Sequence, residues 1–377
     1  MSEAAPGPGM GLDKEKEQTL AEKTKSILDE LKAETPDYGQ IAADVVEARK
    51  TANALLAIKQ EKDEPAEVDT PDVPDQAPVV VPPGCEAATV RDRWQEQLWL
   101  RVKSVYEMLT GETVSKLPKW GEAISLNWRE KRDKTNRAKP TMTALREAHV
   151  FALLLAREPN VIRVRRGDVL FEDDFSEGTE KWLLYGPCIT SRPKGGGLRR
   201  KNKRVRHADT MMWTKEEFEG NFLFEFTYIA NKGGPKPGNL FAICGRPVKE
   251  EDDLSVSVGQ TMATYNNGVH AYHFSMHRGN TNICNGRKVG NGLRLIGSRT
   301  PDPCPDEHAP YRIQIGKWDD LVFCIADGKL QHVYYDAGTF GPPLKGGSCG
   351  MRNWGGADAT LQDVKVYRLV EKKTAKE

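Results

Sequence analysis

The stretch HAYHFSMHR, residues 270–278, decides how the second half of the chain is interpreted. Side chains alternate between the two faces of a strand, so His273, Ser275 and His277 are predicted to share one face. The opposite face then carries His270, Tyr272, Phe274, Met276 and Arg278. Consecutive polar side chains are unfavourable in a core, so their face is predicted to line a wet groove that binds a polar ligand.

Strand-like runs flank this stretch from Val161 to the end of the chain. They alternate with Gly, Pro, Asn and Asp turns, and no long helical pattern separates them, which predicts antiparallel pairing. Asp327–Gly328 is a strong two-residue hairpin signal. So many short strands need two packed sheets. The predicted fold class is α+β and multidomain, with a helical N-terminal half and a C-terminal antiparallel β-sandwich of the jelly-roll type.

The N-terminal half is predicted to be helical and to contain a linker. Residues 1–62 form an acidic segment that is helical or partly disordered, with a break at residues 35–37. Residues 63–84 are rich in proline and acids, which favours an extended linker. Residues 85–160 are predicted to form a small helical domain, and residues 161–372 form the jelly roll.

Charge and cysteine usage limit the class of protein. Residues 1–84 hold 18 acids and 9 bases, a net charge of −9, although the whole chain is near neutral at +1. The seven cysteines are odd in number and lack a CxxC pair, which argues against a disulfide framework and a structural zinc site. A Cys284–Cys304 bridge stays open as an alternative. Without a signal pattern or an apolar run of about 20 residues, we expect a cytoplasmic protein with no membrane partner.

The bracketing strands resemble those of concanavalin A-like and laminin-G-like jelly rolls, in which the opening strand pairs with the closing one. The interior is similar to a largely uncharacterised glucanase-like family (DUF1961 type) from bacterial polysaccharide-utilisation systems. The matching positions are Tyr272, Ser275, Arg278, Asn285, Gly286, Arg287, Lys288, Gly290, Gly346, Gly347, Gly350 and Arg352. The turn at 285–290 departs from the family pattern by lacking its Asn–Pro. The resemblance covers residues 168–370 and does not reach residues 1–160.

This resemblance implies that the concave sheet face binds carbohydrate or acidic polysaccharide. Aromatic rings would stack on sugar rings while polar side chains bond the hydroxyls. The candidate ligand-binding residues are Tyr272, His273, Ser275, His277, Arg278, Asn282, Arg287, Arg352 and Trp354.

The catalytic residues stay unknown, and hydrolase or lyase-like activity is an open question. The acids within residues 172–177, EDDFSE, lie at a predicted strand end and not inside a strand, as the Glu–x–Asp–x–x–Glu motif of retaining glucanases does, so classical glucanase activity is disfavoured. A histidine base with Tyr272 as acid would suit elimination from a uronate, but Tyr272 faces away from His273 on a strand. We expect no cofactor and no metal; calcium near Asp173 and Asp174 is a further option without support.

Two alternatives stay open beside carbohydrate binding. The chain could be a structural or interaction protein whose N-terminal helices dock a protein partner. The basic loop at residues 192–206 could contact a polyanion or nucleic acid, although its composition also fits a plain solvent-exposed loop, which is favoured over nucleic acid.

Overall fold

A computed structural model describes the chain at residues 13–59, 69–71, 73–74, 77–112, 114, 138–157, 160–202, 210–232, 238–258, 262–277, 282–290, 292–354 and 356–372. The chain forms two compact units. The first lies within residues 1–78, 91–160 and 337–341, and the second lies within residues 79–90, 161–336 and 342–377. Among the described residues the helices are α1 (Lys14–Glu30), α2 (Tyr38–Lys59), α3 (Ala87–Thr110), α4 (Ala138–Ala156) and α5 (Met262–Gly268).

The first unit is a helical bundle with one shared core. Asp13 caps α1, because its side chain accepts a hydrogen bond from the Lys16 amide at 3.1 Å. Apolar stripes of several helices meet in a cluster of Leu20, Ala48, Ala52, Leu55, Val105, Met108 and Leu145. Helices before and after the predicted linker therefore share a core rather than forming separate segments. Short amphipathic helices gain most of their stability from such packing.

Part of the predicted linker at residues 63–84 forms regular secondary structure. Val79–Val81 forms a strand, β1, with all three side chains buried. Its neighbours at residues 63–68, 72 and 75–76 lie outside the described residues. The three valines favour a pleated strand, and pairing with a neighbouring strand satisfies backbone groups that an extended linker would leave to water.

The second unit is a two-layer β-sandwich, which confirms the predicted fold class. Its remaining strands are β2 (Val161–Asp173), β3 (Trp182–Tyr185), β4 (Cys188–Ser191), β5 (Leu198–Asn202), β6 (Thr210–Thr214), β7 (Phe218–Glu219), β8 (Phe222–Lys232), β9 (Gly238–Pro247), β10 (Val269–Met276), β11 (Cys284–Val289), β12 (Leu293–Arg299), β13 (Pro310–Trp318), β14 (Leu321–Ala326), β15 (Lys329–Tyr335), β16 (Gly346–Trp354) and β17 (Asp358–Glu371).

Sheet one has the order β1-β2-β17-β8-β13-β14-β15, with β5 beside β17 and β4 beside β5. Sheet two has the order β12-β11-β10-β9-β16-β6-β3, with β7 beside β16. Pairing is antiparallel except between β1 and β2. The opening strand β2 pairs with the closing strand β17, as the resemblance implied. Asp327 and Gly328 form the predicted hairpin turn, with φ values of 45° and 73°.

The core between the sheets fixes which face of each strand points inward. Phe274 on β10 lies against His332 on β15, with ring centroids 5.6 Å apart. Phe226 on β8 contacts Phe241 on β9 at 4.7 Å. We call this the inner face of sheet two, and the opposite face its outer face. Alternation then places His273 and Ser275 on the outer face.

Two further features of the structure concern the cysteines and the hydropathy of the helices. All seven cysteines are described, and none forms a disulfide, so the Cys284–Cys304 bridge is not present. Burial raises the pKa of Cys244 to about 12, which makes that thiol unreactive. None of the described helices is long and apolar enough to cross a bilayer.

His149 in the first unit predicts loss of stability in acid. Arg49 Nη1 donates to His149 Nδ1 at 3.0 Å, so this buried imidazole is neutral. Burial, reinforced by Arg49, lowers the His149 pKa from 6.5 to about 4. Between those pH values the His149 imidazole is protonated in the unfolded chain and stays neutral in the folded chain. The free energy of unfolding should therefore fall by about 3 kcal/mol as the pH drops from 6.5 to 4.

Denaturant unfolding followed by far-ultraviolet circular dichroism tests this on the wild type and on His149→Gln, which keeps a neutral acceptor for Arg49. The variant should lose less stability across the same pH range. Identical pH dependence in both proteins would show that His149 does not titrate in this way.

Candidate functional site

Polar side chains from neighbouring strands meet on the outer face of sheet two. Directly opposed residues of an antiparallel pair point to the same face. Ser275 lies opposite Asn285, and His273 lies opposite Arg287. The same register carries the row to Ser298 on β12 and, through Leu240 on β9, to Arg352 on β16. We call these six polar residues the outer cluster: His273, Ser275, Asn285, Arg287, Ser298 and Arg352.

Hydrogen bonds join members of the outer cluster across three strands. Arg287 Nη1 donates to Ser275 Oγ at 3.3 Å, and Ser275 Oγ donates to the Asn285 carbonyl at 3.4 Å. Ser298 Oγ donates to Asn285 Oδ1 at 2.6 Å. These bonds compensate part of the cost of burying polar groups, and they hold the side chains in one orientation.

Tyr265 on α5 covers the part of the outer cluster that contains His273 and Arg352. Its hydroxyl lies 3.2 Å from His273 Nδ1, and its ring lies against the Arg352 guanidinium, 4.2 Å from Cζ to centroid. A cation over an aromatic face contributes about 0.5–2 kcal/mol, more where water is excluded. Both contacts are made by α5, which directly precedes β10. The described residues 248–258 and 262–268, between β9 and β10, are called the covering segment.

A small apolar core holds this covering segment on the sheet. It consists of Met211, Trp213, Ala242, Leu254, Tyr265, Val269, Ala271 and Val289. Trp213 Nε1 also donates to Ser257 Oγ at 3.1 Å. Gly350 makes room for the indole, since a Cβ there would lie 2.6 Å from the Trp213 ring. The late glycine of the family-like pattern is therefore explained by packing beneath the covering segment.

The predicted wet groove is closed in this structure. His273 is 0 % exposed and Ser275 is 1 % exposed, so the expectation that they face water is wrong. For His273 the physical reason is Tyr265, whose hydroxyl lies 3.2 Å from His273 Nδ1. Ser275 is bonded by Arg287 and by the backbone carbonyl of Asn285. Alternation correctly predicts that His273 and Ser275 share a face. It does not predict which other segment of the chain covers that face.

Other predicted site residues lie at the end of the strands. His277 follows β10 with φ 48°, leaves the strand, and donates from Nδ1 to the Cys304 carbonyl at 2.9 Å. It therefore does not continue the row of His273 and Ser275, contrary to the prediction. Asn282 is exposed, and its Oδ1 accepts from the Asp302 amide at 2.9 Å. Trp354 ends β16 half-buried, two residues beyond Arg352, whereas Arg278 lies outside the described residues.

Tyr272 belongs to the inner face and not to the outer cluster. Its hydroxyl donates to Asp336 Oδ2 at 2.5 Å and accepts from the Leu344 amide at 3.0 Å. Lys288 Nζ donates to the same Asp336 oxygen at 2.6 Å. Burial, and then the Asp336 charge, raise the pKa of Tyr272 well above its ordinary value. Its inclusion among the ligand-binding residues is therefore not supported by its position, because it faces the opposite sheet.

The acidic turn after β2 has a structural explanation. Asp173 accepts from the Phe175 amide at 2.9 Å and from Trp182 Nε1 at 2.6 Å. Asp174 accepts from the Ser176 amide at 2.8 Å. Within the described ranges, no three His, Cys, Asp or Glu side chains are arranged to hold a metal ion. These carboxylates accept hydrogen bonds that stabilise the turn.

Two arginines of the basic loop make contacts within the sandwich, whereas Arg192, Lys194 and Lys201 are exposed. Arg199 makes a two-pronged ion pair with Asp358, at 2.8 and 2.7 Å. Arg200 is buried and donates to the carbonyls of Met351 and Met211. Residues 203–206 of this loop lie outside the described residues.

Comparison with known proteins adds a likeness of fold. No family model matches the chain, and no curated protein matches it. A Bacillus subtilis protein of unknown function with a galectin-like fold is 22 % identical, covering 55 % of this chain and 100 % of its own, with a TM-score of 0.49. A Pyrococcus furiosus endo-β-1,3-glucanase is 13 % identical, covering 55 % and 99 %, with a TM-score of 0.40. A Bacillus subtilis carbohydrate-binding module is 14 % identical, covering 50 % and 95 %, with a TM-score of 0.35.

The inner position of Tyr272 predicts a stability effect without a binding effect. Tyr272→Phe removes a hydrogen bond to a buried carboxylate and should lower the free energy of unfolding by about 1.5–3 kcal/mol. Lys288→Met removes the ammonium beside Asp336 and should cost about 3–5 kcal/mol. Lys288→Met combined with Asp336→Asn should recover part of that loss, since no buried charge is then left unbalanced.

Denaturant unfolding of the full chain measures these three variants. Lys365→Met, which removes an exposed ion pair with Glu172, is the matched control and should change stability by under about 1 kcal/mol. A Lys288→Met protein as stable as the control would contradict the buried network.

Proposed function

We propose that this protein binds carbohydrate through the outer cluster of sheet two. The observation that carries the proposal is the contrast between the two faces of the same strands. One inner-facing row consists of Phe274, Phe241 and Met351, and the inner-facing Tyr272 and Lys288 are paired with Asp336. The outer face of the same strands presents serine, asparagine, histidine and arginine side chains in two adjacent rows. Polar groups gathered in two adjacent rows are costly in a purely structural core, so a ligand-related role accounts for them better.

The chemistry of the outer cluster suits a sugar ring. Sugar hydroxyls both donate and accept hydrogen bonds. The cluster supplies guanidinium donors, serine hydroxyls that do both, and an amide that does both. Trp354 lies at the end of the same face, where its ring could stack on a pyranose. Hydrogen-bonding groups beside an aromatic ring are the usual composition of a carbohydrate site.

Ligand entry in this proposal starts at the strand ends that carry Trp354 and Asn282. Among the predicted site residues that the structure describes, Trp354 is half-buried and Asn282 is exposed. Both lie at the same end of sheet two. Tyr265 then has to leave Arg352 and His273 before a sugar can reach the deeper row. We include in this proposal the resemblance to the uncharacterised glucanase-like family. That resemblance rests only on the matching motif residues in the sequence.

Polysaccharide cleavage is a second candidate, favoured by one observation. The Tyr265 hydroxyl and His273 Nδ1 lie 3.2 Å apart on the outer face, within reach for proton transfer. Retaining hydrolysis needs a pair of carboxylates. The described outer-facing strand positions around the cluster include no such pair.

Binding is tested with the full chain on a glycan array, followed by calorimetry on each ligand found. Arg287→Gln and Ser275→Ala should each weaken binding by about tenfold or more, because a buried hydrogen-bonding group of the ligand loses its partner. Arg246→Gln changes an exposed arginine paired with Glu217 and should leave affinity unchanged. The absence of any glycan ligand, or unchanged affinity in Arg287→Gln, would overturn the proposal.

Cleavage is tested by the release of reducing ends from a polysaccharide that binds. Tyr265→Phe keeps the ring on Arg352 and removes only the hydroxyl, so it should lower the rate by about 100-fold or more if the pair transfers a proton. Equal rates in Tyr265→Phe and wild type would exclude this pair as the acid and base.

A further inference from the structure

Cys188 differs from the other thiols of the chain in its surroundings. It begins β4, which pairs only with β5 among the described strands, so it lies at an edge of sheet one. Five of the other cysteines are at most 1 % exposed. Cys85 is half-buried like Cys188, and burial raises the pKa of Cys85 to about 11, an effect that the charge of Glu86 reinforces. Cys85 is therefore the natural thiol with which Cys188 can be compared.

Strand register places Arg200 on the same face as the Cys188 side chain. Thr190 lies opposite Arg200, and Cys188 is two residues from Thr190 on β4. Diagonal neighbours on one face have Cα atoms about 7–8 Å apart, which a long side chain can span. Arg200 points toward sheet two, since its Nη1 and Nη2 atoms donate to the carbonyls of Met351 and Met211 at 3.4 and 3.3 Å. The sulfur and the guanidinium therefore share the inner side of this sheet edge.

The Arg200 guanidinium is buried, and no carboxylate of the described residues pairs with it. Its side chain is 1 % exposed, and its Nε atom has no hydrogen-bond partner within the described part of the chain. The two bonds to carbonyls are long, so they compensate only part of the cost of burying a charge. Burial lowers the pKa of Arg200, and the opposing influence comes from the Cys188 sulfur, through its charge and a side-chain hydrogen bond. A thiolate at Cys188 would supply the counter-charge of this cation.

The neutral thiol is held only weakly. Cys188 Sγ donates to the Ile189 carbonyl at 3.6 Å and to the Lys201 carbonyl at 3.5 Å. A thiol is a weak donor, whereas an ionised sulfur beside a guanidinium accepts a charge-assisted hydrogen bond. The thiolate is also the nucleophilic form of cysteine. Because the sulfur is partly exposed at a sheet edge, a small reagent reaches it more easily than a large one, which favours a hydroperoxide as the reaction partner.

From these observations we propose that Cys188 is a site of oxidation by hydroperoxides, with Arg200 as the counter-charge of its thiolate. The thiol proton passes to water, and the thiolate attacks one peroxide oxygen. An S–O bond forms as the O–O bond breaks, so the sulfur is oxidised and the peroxide is reduced. The leaving oxygen departs as hydroxide or alkoxide and takes a proton from water, and Cys188 becomes a sulfenic acid. Arg200 Nε is a donor that can stabilise the charge on the leaving oxygen.

Oxidation of the full chain by hydrogen peroxide at neutral pH tests this site. Dimedone traps the sulfenic acid, and peptide mass spectrometry measures the rate of adduct formation at each cysteine. We expect Cys188 to react at least about tenfold faster than Cys85, which has a similar class of exposure but no adjacent guanidinium to offset its burial. Equal rates at the two thiols, or no adduct at Cys188, would overturn the proposal.

Variants of Arg200 test the source of the reactivity. Arg200→Gln should slow the oxidation of Cys188 by about tenfold or more, because both the counter-charge and the charged donor are lost. Arg200→Lys should slow it by about threefold, because an ammonium keeps the charge but not the planar fork. Lys201→Gln removes an exposed cation on the opposite face of β5 and should leave the rate unchanged.

The direction of the change separates this role from a structural one. If Arg200 only held the sheet edge together, its replacement would loosen the edge, expose the sulfur and speed the oxidation of Cys188. If Arg200→Gln does not fold, Arg200→Lys still decides, since a rate equal to or above that of the wild type would contradict the proposal.

Discussion

The inner packing of β10 is the constraint on which the rest of the second unit depends. Phe274 contacts His332 of the opposite sheet, and this contact fixes which side chains of β10 point inward. Because the strand period is two, a register shift of one residue would place His273 and Ser275 in the core and Phe274 outside it. Burial of the apolar side chains of β10 fixes its register, and this register places the polar side chains together in the outer cluster.

A second, smaller core on the outer face determines how the site can work. Trp213, Tyr265 and their neighbours pack the covering segment, residues 248–258 and 262–268, over the sheet. The same segment carries the group that contacts His273 and Arg352. Apolar packing and the covering of the polar cluster are thus one structural feature, and the carbohydrate binding that we propose for this cluster requires α5 to open.

Parts of the fold could be predicted because local chemistry determines them. Asp327–Gly328 gives the hairpin, since its residues tolerate the positive φ values that the turn requires. The resemblance places a turn at residues 285–290, but the structure forms β11 there and pairs it with β12; the sequence of β11, CNGRKV, is polar and shows no apolar alternation. Gly286 is needed because a Cβ there would lie 2.9 Å from the Phe274 ring, a contact that is not visible in the sequence. Their pairing is stabilised by neighbouring strands rather than by their own propensity.

By itself, the amino-acid sequence determined a helical first half, an antiparallel β-sandwich after Val161, and the shared face of His273 and Ser275. Those features follow from periodicity and turn chemistry, which act over a few residues. Only the tertiary structure decided that Tyr265 closes this face, that Arg287 and Arg352 join it, and that Tyr272 binds Asp336 on the other side. These contacts join residues that are distant along the chain or belong to separate strands, so they depend on strand order and register rather than on local pattern.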